Sequence, residues 1–179
     1  MKKINLGCGW RDFGSDWIHI DGGNYSHLDS KNIIDLPYND NTIDLIYASH
    51  VLEYFDRTEA IDVLNKWHSK LKPNGILRLA VPNFKEIARL YIIEGYDLSK
   101  FLGSLFGKMY MEEELIYHKT TYDFVSLSSL LSQFNFSQVN YYNWKDTEHA
   151  EYDDHSQAYI PHMDKENGTL ISLNVEAVK

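Results

Sequence analysis

Near the start of the chain a short apolar run, INL, leads into Gly7-Cys8-Gly9. Glycines so placed can take positive φ and let a ligand approach the backbone closely. Further on, polar residues close successive apolar runs: Asp21 after WIHI, Asp35 within NIIDL, and Ser49-His50 after TIDLIYA. A carboxylate at such an end can accept both hydroxyls of a ribose, which suits an adenosine-containing cofactor. The third glycine of a dinucleotide fingerprint is missing, with Arg11 and Asp12 in its place. A pyrophosphate needs the helix N-terminus which that glycine supports, so the pattern favours a cofactor carrying no phosphate.

Acid–base chemistry falls to the histidines. His50 and His118 titrate near neutrality and are the candidate catalytic bases. His118 sits in YHKTT, a stretch of little regular pattern that suits a lid over an α/β site. Glu53 is a candidate substrate contact or a solvated helix residue, and Tyr110 and Tyr122 are further candidates. Cys8 reads as a small inert loop residue, since no cluster of cations marks it as a thiolate. Between 146 and 164, His149, Glu151, Asp153, Asp154, His155 and His162 could offer nitrogen and oxygen ligands to a divalent metal. Their spacing matches no diagnostic metal motif, so no metal is expected. The segment reads as an acidic loop whose Tyr152, Tyr159 and Ile160 could wall a substrate pocket.

The elements that must position these residues alternate. Strands are predicted at Lys3–Leu6, Trp17–Asp21, Asn32–Leu36, Thr42–Ala48 and Gly75–Val81, from their β-branched and aromatic content and flanking turn residues. Helices are predicted from Asp56 to the Lys72-Pro73-Asn74-Gly75 stop, from Asn83 through Ile92, over Leu98–Phe106, and after a Ser126 cap. Two strands close the chain, Gln138–Lys145 and Thr169–Val178, the last alternating like a half-buried antiparallel strand. This is an α/β doubly wound order with a mostly parallel, seven-stranded sheet. The first crossover helix must be shortened to a turn or two, because a parallel crossover ordinarily needs about a dozen residues or more.

The bulk composition agrees with one soluble domain over 1–179: 44% hydrophobic, 24% charged, 13 tyrosines. A net charge of −9 argues against nucleic-acid binding, and the basic run NKWHSKLK suits a helix C-terminus instead. A single cysteine fits a reducing cytoplasm. MKKINLG has no apolar signal region, and no segment approaches the ~20 apolar residues of a membrane span.

Taken together, NLGCG, IDGG, DLPYNDNTIDLIYASHVLEYF and LKPNGILRLAVPNF resemble the class I S-adenosylmethionine-dependent methyltransferases, in particular a small bacterial type 11-like group. The resemblance covers the first half most fully, and HKTTYDFVSLSSLLSQFNFSQV is similar to the family's later helix and sixth strand. It implies a Rossmann-like fold, S-adenosylmethionine as cofactor and S-adenosylhomocysteine as product. Gly7, Cys8 and Gly9 would run under the methionine portion, and Asp21 would hold the ribose. Asp35 and Leu36 would flank the adenine, and Ser49 and His50 would lie beside the methyl. Asn5 and Arg11 depart from the family pattern, Asn5 standing where an acid is usual.

The expectation is a cytoplasmic methyltransferase acting on an O or N atom of a small molecule or glycan precursor. A cofactor half, about 1–95, would be covered by substrate or lid segments at about 96–125 and 146–165. No nucleic-acid or membrane partner is expected, and a homodimer is compatible. A non-catalytic binding subunit of the same fold, or a metal-dependent hydrolase using 149–162, are the rivals.

Overall fold

The computed structural model describes residues 1–179, and its centre is a twisted sheet. β1 (Lys3–Leu6) and β2 (Trp17–Ile20) come first, then β3 (Ile43–Ser49), α1 (Glu59–Lys70), β4 (Leu71–Pro82) and α2 (Phe84–Ile93). After these follow α3 (Leu102–Phe106), a hairpin of β5 (Met109–Met111) and β6 (Glu114–Ile116), and α4 (Phe124–Ser132). The chain ends with β7 (Ser137–Tyr141), the short pair β8 (Tyr159–Ile160) and β9 (Thr169–Leu170), and β10 (Ser172–Val178).

The sheet has six strands in the order β2-β1-β3-β4-β10-β7. β2, β1, β3 and β4 pair in parallel, while β10 runs antiparallel between β4 and β7. The chain leaves β1 toward one edge and returns to its other side as β3. The strand order therefore reverses at β1, and a crevice opens at the carboxyl ends of β1 and β3, where ligands of open α/β sheets bind.

Both faces of the central strands are covered, as parallel pairing demands. Ile4, Leu6, Ile43, Ile46, Leu77 and Val175 are buried in the main core with the inward residues of α1 and α4. α1 presents Ala60, Val63, Leu64 and Trp67 at helical spacing, and the Trp67 indole N–H donates to the Ile33 carbonyl at 2.7 Å. The expected Asp56/Glu59 start is present: Asp56 Oδ1 accepts from the Thr58 and Glu59 amides, and Glu59 Oε2 accepts from the Asp56 amide. α4 is capped by Asp123, not by Ser126, which is its capping-box partner three residues on.

Three expectations are corrected. The predicted strand Asn32–Leu36 does not form, leaving six strands instead of seven. Asn32 Oδ1 accepts from the Ile34 and Asp35 amides at 3.0 and 2.8 Å, and this local Asx turn displaces ladder pairing. The first crossover holds no helix at all: residues 7–16 are turns, tied down where the Phe13 amide donates to His19 Nε2 at 2.8 Å. Phe13 and Trp17 then pack on Leu45 and Tyr47 as a second small core that does the covering. The predicted helix over 98–106 breaks at Phe101, whose fully buried ring anchors the segment to Ile87, Leu90 and Ile160.

Candidate active site

The crevice at the strand-order switch is a cavity of about 1130 Å³. Its floor is the glycine loop. Gly7 has φ +65°, and a Cβ there would lie 2.2 Å from Val51 Cγ2. At Gly9, φ is +58° and a Cβ would meet nothing within 4 Å, so its backbone lies open to the cavity. The loop is clamped by Asp21: Oδ2 accepts from the Gly9 amide at 2.8 Å and Oδ1 from the Gly23 amide at 2.7 Å. Each carboxylate oxygen keeps lone-pair capacity beyond that bond. Asp21 thus first shapes the loop and can still accept from a ribose. Cys8 lines the floor as a buried thiol that burial pushes up to about 12, so it is inert.

Gly7, Cys8, Gly9, Asp21, Ser49 and His50 are brought together on this cavity, as the sequence predicts. Asp35 and Leu36 are not among its lining residues. Asp35 is turned outward into an ion pair with Lys66 at 2.9 Å, and Leu36 is buried in the main core. The Asx turn that cancels the expected third strand sets both, and Ile33 lines the cavity in their stead. Asp35→Ala should therefore leave ligand affinity unchanged and cost no more than ~1 kcal/mol in a denaturant melt, since an exposed ion pair is worth little.

A polar ligand end fits beside the loop. Asn5 Nδ2 and Ser49 Oγ are buried on the cavity wall and have no hydrogen-bond partner in the protein. Buried polar atoms are seldom left so, and here two of them, near the ends of β1 and β3, belong to residues that line the same cavity. They offer a donor and a hydroxyl to the charged end of an amino-acid moiety, and the Asn5 departure from the family pattern is such a donor.

Behind the wall lies Glu53, fully buried, in a short 3-10 turn after β3. His50 Nδ1 is 3.3 Å and His118 Nε2 3.7 Å from Glu53 Oε1, and neither carboxyl oxygen has a hydrogen bond. The Ser104 carbonyl, which can only accept, lies 3.1 Å from His118 Nδ1, so that nitrogen carries hydrogen. The Ser172 hydroxyl donates to Asn174 Oδ1 and so accepts from His50 Nε2 at 3.4 Å. Both remaining imidazole lone pairs then face Glu53. An ionised carboxylate there would lack any compensating donor. Burial accordingly pushes the Glu53 carboxyl up to about 8, while burial holds His118 down at about 4 and His50 well below the ordinary imidazole value. The trio is uncharged, and to act as bases His50 and His118 would first have to leave these contacts. His50 is held in place at φ +54°, a strained conformation for a side chain of its size.

His155 is the imidazole the sequence reading did not single out as a base. It lines the cavity with its ring centroid 5.1 Å from that of His50 and shares none of the hydrogen bonds that tie His50 and His118. Though exposed at the cavity, it is held below the ordinary imidazole value, first by desolvation from its surroundings and then by the Arg11 charge. Only its place opposite His50, which no spacing in the sequence reveals, distinguishes it from its neighbours. Asp154 and His162 line the same cavity, Asp154 accepting from the Tyr47 hydroxyl, whereas His149 is buried, stacked on Phe13 and tilted against Tyr47, and Asp153 pairs with Lys165. No three His, Cys, Asp or Glu side chains converge closely enough to hold a metal ion. Tyr110, Tyr159 and Ile160 line the cavity, and so does Tyr54, which the sequence reading passed over. Tyr122 and Tyr152 do not: Tyr122 is in the core, and Tyr152 stacks on Phe13 at 4.6 Å.

A family model described as a methyltransferase domain matches residues 19–79. The chemotaxis protein methyltransferase of Salmonella typhimurium is 34% identical over 82 residues, which are 43% of this chain and 28% of that protein. The matched region thus spans little more than a quarter of that curated relative. An S-adenosylmethionine-dependent methyltransferase from Mesorhizobium loti superposes with a TM-score of 0.56 at 16% identity, covering 99% of this chain and 90% of that one. One from Archaeoglobus fulgidus gives 0.60 at 15% identity, covering 99% and 86%. No helix is long and apolar enough to cross a membrane. The chain shares the fold of these S-adenosylmethionine-dependent methyltransferases, and from β2 into β4 its sequence matches the methyltransferase-domain model.

Proposed function

We propose that the protein transfers a methyl group from S-adenosylmethionine to an oxygen or nitrogen atom of a small molecule or glycan precursor. One observation carries this reading: the Asp21-clamped glycine loop and the unpartnered Asn5 and Ser49 groups open onto the same cavity as His155. When bound, the cofactor supplies an electrophilic methyl on a sulfonium.

The protein's own work is positioning and proton handling. Gly7–Gly9 and Asp21 fix one reactant, and the segments over 96–118 and 154–163 enclose the other. Alignment of this kind can supply several kcal/mol of barrier reduction. His155, neutral and free at both ring nitrogens, accepts the proton an acceptor hydroxyl or ammonium gives up. The uncharged His50–Glu53–His118 wall behind it adds no competing charge.

Calorimetric titration with S-adenosylhomocysteine tests the reading. We expect saturable one-to-one binding and, with labelled S-adenosylmethionine, label in an acceptor of this class. Absence of binding at millimolar ligand removes the proposal. Binding without transfer across a broad metabolite extract would favour the non-catalytic subunit instead.

A further inference from the structure

The chain is strongly acidic, with 26 Asp and Glu against 17 Lys and Arg. Its cavity is lined by as many cations as carboxylates, and the two sets are held differently. Arg11, Lys100 and Lys108 line it, and none of the three has a carboxylate partner. The carboxylates on the same lining are all engaged. Asp21 holds two loop amides, Asp154 accepts from Tyr47 and the Ser156 amide, and Glu112 is paired with Lys31 at 2.8 Å.

The segments that carry these cations also adjoin the histidines. The Arg11 charge is felt by both His50 and His155, and its Nε donates to the Asp153 carbonyl at 2.6 Å, which fixes the guanidinium at the rim. Across the cavity, Lys100 and Lys108 bracket the Ser104–Gly107 stretch that holds His118: Ser104 through its carbonyl, Gly107 by close packing. Gly107 (φ +51°) leaves no room for a Cβ, which would lie 1.9 Å from His118 Nε2. Lys108 is therefore carried against the candidate chemistry by its neighbour. Unpaired cations of one sign around a partly enclosed space attract an anion and raise its local concentration, and a guanidinium matches a carboxylate or phosphate in particular.

We infer that the methyl acceptor is a small acid, anchored through a carboxylate or phosphate group by Arg11, Lys100 and Lys108. The inference rests on the methyltransferase reading, because it assigns the part of the cavity beyond the cofactor loop. The anionic group orients the acceptor. His155 lies beside the His50 ring and within the field of Arg11, where the neighbouring hydroxyl or amine would be presented to it.

The test uses isotopically labelled protein saturated with S-adenosylhomocysteine and four probes followed by NMR: benzoate and phenyl phosphate, with benzamide and benzyl alcohol as neutral counterparts. We expect saturable shifts around Arg11 and residues 100–108 from at least one acid and from neither neutral probe. Comparing benzoate with phenyl phosphate identifies the preferred anion. Arg11→Gln and the double variant Lys100→Gln/Lys108→Gln should each weaken the acid about tenfold, while keeping a dispersed spectrum and cofactor-product binding. Equal binding of acid and neutral probes, no binding of any probe, or acid binding unaffected by both variants overturns the inference. Failure of S-adenosylhomocysteine to bind is a separate result that strikes the functional reading, and the acid titration is then repeated on the unliganded protein.

Discussion

Replacing Glu53 by glutamine should remove a loss of stability that the wild-type carboxyl contributes between pH 6.5 and 8. The Glu53 carboxyl is raised from 4.5 to about 8 by burial. The folded state therefore holds a proton that the unfolded chain has released, and stability is lost as pH rises through that interval. The buried histidines act with the opposite sign. His118 and His149 are lowered from 6.5 to about 4, and His50 is lowered too, so the unfolded chain binds protons that the folded one refuses. Their contribution grows as pH rises through 6.5 and levels off only about one unit above it, when the unfolded imidazoles have lost their protons, and His19 and His68, lowered too, add to it. Between pH 6.5 and 8 the two effects oppose each other, so the part due to Glu53 is read as the difference between wild type and variant. At about 1.4 kcal/mol per pH unit, Glu53→Gln should gain about 1.5 kcal/mol on the wild type from pH 6.5 to 8. Cys8, raised to about 12 from 9.0, enters only above this window. Urea unfolding at the two pH values measures the difference. Glu53→Gln keeps the shape without the titration, so its stability should rise across the interval by more than that of the wild type. Wild type and variant changing in parallel would show that Glu53 is ionised in the folded protein.

The same residue shows where sequence reasoning reaches and where it stops. Gly7–Gly9, Asp21 and Ser49–His50 were legible because each lies at the end of an apolar run, and strand ends at a switch point are where such sheets bind ligands. His118 was legible as a residue of an irregular covering segment. Glu53 reads as a substrate contact or a solvated helix residue, yet it is sealed between two histidines far apart in the chain, a juxtaposition of tertiary origin. Asp35 and Leu36 failed for a local reason that was visible in principle: Asn32 competes for the amides a third strand would have used. The missing third glycine and the trimmed crossover belong together. Without a helix in residues 7–16 there is no helix N-terminus behind the loop, and Asp21 takes over the task of holding its amides.

That division of labour makes Asp21 the residue whose loss should be felt most. In Asp21→Ala, the Gly9 and Gly23 amides lose their shared acceptor, and charge-assisted bonds of this kind contribute ~1.5–3 kcal/mol each. The loop residues Gly7 and Gly9, at φ +65° and +58°, would then be free to relax out of the cradle. A ligand ribose would lose its acceptor as well, so S-adenosylhomocysteine affinity should drop at least a hundredfold in calorimetry. Asp21→Asn separates the two duties. One amide oxygen can serve one backbone N–H, but the side-chain NH2 would confront the other, donor against donor. If the clamp matters as the hydrogen bonds indicate, the asparagine variant should melt several degrees below wild type without any ligand and also bind weakly. If Asp21 served the ribose alone, the unliganded asparagine variant would melt with the wild type, and only its affinity would change. The β2 register is set by Trp17–Ile20 pairing with Lys3–Leu6, upstream of the substitution, so both variants should keep the sheet and report on the loop itself.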